Sequence, residues 1–151
     1  MNLTEQPEYI DWPETHYVFV EAIGPFMQNA QKAWQTAHSH VPELTAKNTI
    51  TGYMSLYKVG PQVYRAGFAL SAAPVDLPAG LTYELFTGGR YARYVYTGSY
   101  ARLGEACGKA FSMVAEQKLN VRDGFNIENY VNDPRNTPEA ELITELLFPV
   151  L

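Results

Sequence analysis

The spacing of apolar and polar positions changes several times along the chain, and each change marks an element. From Tyr17 to Ile23 β-prone residues crowd together and stop at Gly24-Pro25, a strand end followed by a residue preset for a first helical turn. Met27, Ala30, Trp34, Ala37 and Val41 then recur at alternating spacings of three and four, which predicts an amphipathic helix with Pro42 beyond its end. Thr49 to Tyr57 and Gln62 to Leu70 are β-prone runs separated by Lys58-Val59-Gly60-Pro61, so they predict a hairpin with Tyr53, Ser55 and Tyr57 on one face. After a Pro- and Ala-rich loop over residues 72–80, Leu81 to Phe86 predicts a short strand. Gly88-Gly89 predicts a tight turn, and Arg90 to Thr97 a longer strand.

The first half then repeats. Gly24 and Phe26, between a strand and a helix, become Gly98 and Tyr100, and a second helix follows with Ser99 as its cap and Leu103, Cys107, Ala110 and Val114 as its stripe. Asp123-Gly124 turns into a strand around Glu128, and Glu141 to Val150 reads as the closing strand. Each half is strand, helix, strands. The expected fold class is therefore α+β, a pseudo-two-fold duplication of strand-helix-strand modules that forms a curved antiparallel sheet with two main helices. Residues 1–16, polar and punctuated by Pro7 and Pro13, are expected to be a lead-in that covers an edge with Tyr9, Ile10 and Trp12, and residues 17–151 the domain. Sheets that meet along such an axis would leave a cleft between the halves, a usual place for a small ligand.

Glu128 is the residue that bends this picture toward chemistry. On a strand it shares a face with Asn126 and Tyr130, while Phe125, Ile127 and Val131 take the other. A carboxylate there is costly to bury unless something pairs with it, so it needs either an internal arginine, such as Arg65 or Arg93, or a ligand. The aromatic excess, 11 Tyr, 7 Phe and 2 Trp, points to a wall that is apolar yet can donate hydrogen bonds.

Charge and cysteine content narrow the classes. Eleven Lys+Arg against sixteen Asp+Glu give a net charge of -5 with no basic cluster, which disfavours direct nucleic-acid binding. No stretch approaches a membrane span, and a cytoplasmic protein without a leader is expected. Cys107 forms no intrachain bridge and reads as a small buried hydrophobe. His38 and His40 point in opposite directions on a helix and read as a solvated pair. No metal site, phosphate loop or serine triad is predicted, and no cofactor.

Ala66-Gly67-Phe68, Gly88-Gly89-Arg90-Tyr91-Ala92, Gly98-Ser99-Tyr100, Glu128-Asn129-Tyr130-Val131-Asn132-Asp133-Pro134 and Thr144-Glu145-Leu146-Leu147-Phe148-Pro149-Val150 occur in an order that resembles the GyrI-like small-molecule-binding family, the effector-binding domain of bacterial multidrug-sensing regulators. The resemblance implies a mostly aromatic pocket with a glutamate at its floor, which falls on Glu128. With Glu128, the expected ligand-binding residues are Tyr130, Tyr53, Tyr57, Phe68, Trp34, Tyr100 and Leu147. Two departures from the family pattern, Asn129 for an aliphatic residue and Leu147 for a tyrosine, are expected to bear on ligand choice. The implied partner is a small hydrophobic or cationic molecule held by ring faces and one carboxylate. Two alternatives stay open: hydrolysis of strained cyclopropane-containing compounds, with Glu128 as general base and Tyr57 as donor, and a protein partner such as gyrase, or a homodimer.

Overall fold

The computed structural model describes residues 1–151, and the chain divides into two compact units: Met1–Trp12 with Gly89–Leu151, here the split unit, and Pro13–Gly88, the continuous unit. The chain enters through β1 (Asn2–Leu3) and β2 (Glu8–Trp12) of the split unit. It then forms β3 (Thr15–Ile23), helix α1 (Phe26–Ser39), a short helix α2 (Val41–Thr45), β4 (Ile50–Lys58), β5 (Val63–Leu70) and β6 (Thr82–Phe86) of the continuous unit. It returns to the split unit with β7 (Gly89–Thr97), helix α3 (Leu103–Glu116), β8 (Asn126–Tyr130) and β9 (Ile143–Pro149). The fold is α+β, and the strand pairs within each unit are antiparallel.

The two units share one strand order. In the continuous unit the order is β4-β5-β3-β6, and in the split unit β8-β9-β7, with β1 and β2 on the far side of β7. Within the expected lead-in, Asn2–Leu3 and Glu8–Trp12 are sheet strands: Glu8 to Trp12 pair with Arg93 to Gly89, so Tyr9, Ile10 and Trp12 cover the free side of β7, and Thr15 already belongs to β3. Polar Glu8 before and Asp11 among Tyr9, Ile10 and Trp12 hid a strand whose alternation is only half buried.

One face of each sheet is packed under a helix. In the continuous unit Val18, Ala66, Phe68 and Tyr64 meet Ala33 and Ala37 of α1 and Leu44 of α2, with Ala30 and Trp34 partly buried beside them. Small alanines let the helix backbone approach the sheet, and each fully buried Phe, Leu or Val adds roughly 1.5–3 kcal/mol. Met27, expected on this stripe, is 98% exposed; the packed face runs instead through Phe26, Ala30, Ala33 and Ala37. Pro42 lies beyond the end of α1, as the spacing predicts, and is the second residue of α2, where its missing N–H costs nothing. In the split unit Tyr94, Tyr96, Leu146 and Phe148 meet Ala106 and Ala110 of α3, flanked by Leu103, Cys107 and Val114, as the predicted stripe requires. Gly67 has no room for a side chain: a Cβ there would sit 2.3 Å from the Val18 carbonyl oxygen.

Candidate functional site

Register brings Glu128 onto the face that α3 covers. Glu128 pairs with Leu146, which lies in the core under α3, and Tyr130 pairs with Thr144 two positions along. Glu128 is only 8% exposed. One of its oxygens accepts from Cys107 Sγ at 3.0 Å and the other from Tyr130 Oη at 3.1 Å. Neither donor is charged. The arginines that could have neutralised it are engaged elsewhere: Arg65 with Glu21 and Glu84, and Arg93 with Glu8 and Glu145. Burial pushes the Glu128 carboxyl above its ordinary pKa, and the two hydrogen bonds pull it only partly back.

Around this carboxyl the split unit gathers sulfur and phenols. Burial, then the neighbouring carboxylate, pushes the Cys107 thiol far up, so it stays a thiol and donates. The Tyr100 ring stands edge-on to Tyr130 with centroids 5.8 Å apart, in a turn where Ser99 Oγ accepts from the Ala101 backbone N–H at 3.1 Å. Burial also raises the Tyr100 phenol. Cys107 is thus not the inert hydrophobe that its place on the helix stripe suggested. Its donor role depends on a residue 21 positions away and leaves no local signal.

One expected participant, Leu147, lies elsewhere, as does Asn129, the other departure from the family pattern. Leu147 is fully buried and pairs with Ile127 and Arg93, so strand alternation turns it away from Leu146 and Glu128. Asn129 likewise faces away and donates to Glu145 Oε1 at 2.7 Å, joining a polar chain that runs through Arg93 to Glu8. Neither departure from the family pattern touches the Glu128 face.

The remaining candidates form a cluster within the continuous unit. Trp34 Nε1 donates to Ser55 Oγ at 3.1 Å and to Tyr64 Oη at 2.9 Å, and those two oxygens are 2.6 Å apart. Phe68 is edge-on to both Trp34 and Tyr53, with centroids 6.0 and 5.2 Å away. Tyr57 meets Phe26 edge-on and stacks on Tyr64. His38, expected to be merely solvated, places its ring against Trp34, Phe68 and Tyr53. Its spacing of four from Trp34 is the signal that the sequence offered. A groove of about 470 Å³ also runs beside α3 past Phe111, Val114, Lys118, Arg122 and Phe148; none of the predicted site residues lines it.

The likeness to known proteins is extensive in fold and faint in sequence. Among curated proteins none matches the chain. In the solved structures, the EcmrR C-terminal domain superposes with a TM-score of 0.78 at 17% identity, over 97% of each chain. EcmrR in a complex with DNA gives a TM-score of 0.75 at 17% identity, over 95% of this chain and 56% of that one. SAV2435 bound to tetraphenylphosphonium gives 0.72 at 14% identity, over 97% of this chain and 94% of that one. At such identities the likeness is one of fold. The GyrI-like small molecule binding domain model matches residues 5–151, from within the first strands to the last residue. With that match spanning nearly the whole chain, the protein belongs to the GyrI-like small-molecule-binding family.

Proposed function

We propose that the protein binds a small, largely apolar cation, with Glu128 as its anionic anchor and Tyr130, Tyr100 and Cys107 as the groups around the anchor. The observation that carries this reading is a carboxylate 8% exposed whose only partners are a thiol and a phenol. A buried charge is normally paired, and a pair that broke would cost several kcal/mol, so an anion held only by neutral donors is poised to take a cation from outside. Tyr130 serves twice, since its hydroxyl stabilises the carboxylate while its ring face, like that of Tyr100, attracts positive charge. The aromatic cluster of Trp34, Tyr53, Tyr57 and Phe68 is proposed as a ligand-contacting surface of the continuous unit. His38 is added to it because its ring packs among theirs.

SAV2435, whose structure holds tetraphenylphosphonium, supplies the first probe. Titration of tetraphenylphosphonium into the wild-type protein and into Glu128→Gln is expected to show affinity at least about tenfold weaker in the variant, or about 1.4 kcal/mol. Equal affinities would remove Glu128 from the site.

A further inference from the structure

We propose that the buried hydroxyl of Thr144 is a second polar contact of the site, and that it makes the preferred ligand a protonated amine, with N–H groups to give, over a quaternary onium of the same shape. This rests on the reading of Glu128 as cation anchor and adds the class of cation.

Thr144 is fully buried, and its Oγ1 has no hydrogen-bond partner. Buried hydroxyls are nearly always paired, so an orphan beside a candidate site needs an explanation. Register gives its position. Thr144 pairs with Tyr130 and, across the other side of β9, with Tyr96, while Glu128 pairs with Leu146 two residues further along. Thr144, Tyr130 and Glu128 therefore share the face that α3 covers, and Thr144 is a diagonal neighbour of Glu128, about 7–8 Å away between backbones and within reach of one polar group lodged between them.

The neighbouring hydroxyls do not supply the missing bond. Tyr130 Oη donates to Glu128, and Tyr96 Oη donates to the Ser99 carbonyl at 2.8 Å. Glu128 accepts one hydrogen bond on each oxygen from Cys107 and Tyr130, which leaves lone pairs free on both. An ammonium has three N–H donors and can give one to the carboxylate and one to Thr144 Oγ1. A quaternary nitrogen or phosphonium satisfies the charge but leaves Thr144 as unpaired as before. Sites that hold a hydrogen-bonding group without a partner discriminate strongly against ligands that cannot supply one.

The test uses 4-biphenylmethylamine, charged at pH 7, and its N,N,N-trimethylammonium counterpart, each titrated into the full chain. The wild-type protein should prefer the primary ammonium by about tenfold, the equivalent of about 1.4 kcal/mol. Thr144→Val, nearly the same shape without the hydroxyl, should lose that preference and leave affinity for the trimethylammonium unchanged; Thr144→Ser should keep it. Because the valine also removes an unpaired buried oxygen, its ligand-free form should melt at a higher temperature, which guards against a loss through misfolding. No preference in the wild type, or a preference that survives in Thr144→Val, overturns the proposal; the second result would mean that Thr144 holds only a buried water. Glu128→Gln separates the two layers. If it weakens both ligands while Thr144→Val changes neither, the anchor stands and this inference fails; if it weakens neither, the anchor itself is wrong.

Discussion

In the continuous unit, α1 sends the Trp34 indole to Ser55 Oγ at 3.1 Å; in the split unit, α3 sends the Cys107 thiol to Glu128 Oε1 at 3.0 Å. The two pairs stand at corresponding places. Trp34 follows buried Ala33 as Cys107 follows buried Ala106, and Ala37 matches Ala110 one turn on. Ser55 lies in the rung Ser55–Ala66–Val20, and Glu128 in the rung Glu128–Leu146–Tyr94. Tyr57 and Tyr130 follow two residues later. One duplicated scaffold thus carries in one half a network in which indole, hydroxyl and phenol bond to one another. In the other half it carries a carboxylate that its neighbours solvate without neutralising. Two buried polar clusters at corresponding places differ in charge, and the difference lies in one strand position.

The comparison breaks most severely if the charge is moved. Ser55→Glu places a carboxylate at a fully buried position among neutral groups, and it should cost roughly 3–5 kcal/mol at pH 7 in a denaturant titration, with partial recovery in acid. A loss under about 1 kcal/mol would mean that either unit tolerates the anion, and that Glu128 has no special surroundings.

A smaller effect, of opposite sign, is expected from Glu128→Gln without ligand. Because the folded-state pKa of Glu128 is raised, its contribution to stability is fully present below the unfolded value, about 4.3, and is lost as pH rises through the folded value. Gln removes that loss. At pH 7 the variant should melt about 2–4 °C higher for each kcal/mol relieved, and the gap should close toward pH 4. A variant less stable than wild type at pH 7 would contradict an uncompensated carboxylate.

The smallest effect should follow Cys107→Ala. The thiol is a weak donor, so melting should move by less than about 1 kcal/mol equivalent. Loss of its hydrogen bond should nonetheless shift the Glu128 titration further upward, as carboxyl carbon chemical shifts followed against pH would report. An unmoved titration would show that Tyr130 alone solvates the anion.

Much of the fold was legible because local periodicity and turn chemistry act over a few residues. The hairpin of β4 and β5 and the α3 stripe appear where spacing predicts them; Gly88-Gly89 is instead the crossing from the continuous to the split unit, with β6 paired to β3 and β7 to β9. Where local pattern was ambiguous, docking decided. Met27 satisfies the spacing of the α1 stripe yet lies outside the packed face, and Asn2–Leu3 and Glu8–Trp12 pair with β7 despite their polar neighbours. In the site, Glu128 stood out as a carboxylate in a strand of aromatics, and its face-mate Tyr130 followed from alternation alone.

By itself the sequence determined the element order, the duplication and the one strand position where a carboxylate must be accounted for, since these depend on contacts near in the chain. Only tertiary structure decided how that carboxylate is held. It placed Cys107 against it, paired Arg65 and Arg93 with other carboxylates, turned Leu147 and Asn129 to the opposite face and left Thr144 without a partner. Each of those outcomes is fixed by strand register and by the seating of a helix on its sheet. Both are set by long-range packing, and a one-residue slip in either would reverse which side chains meet.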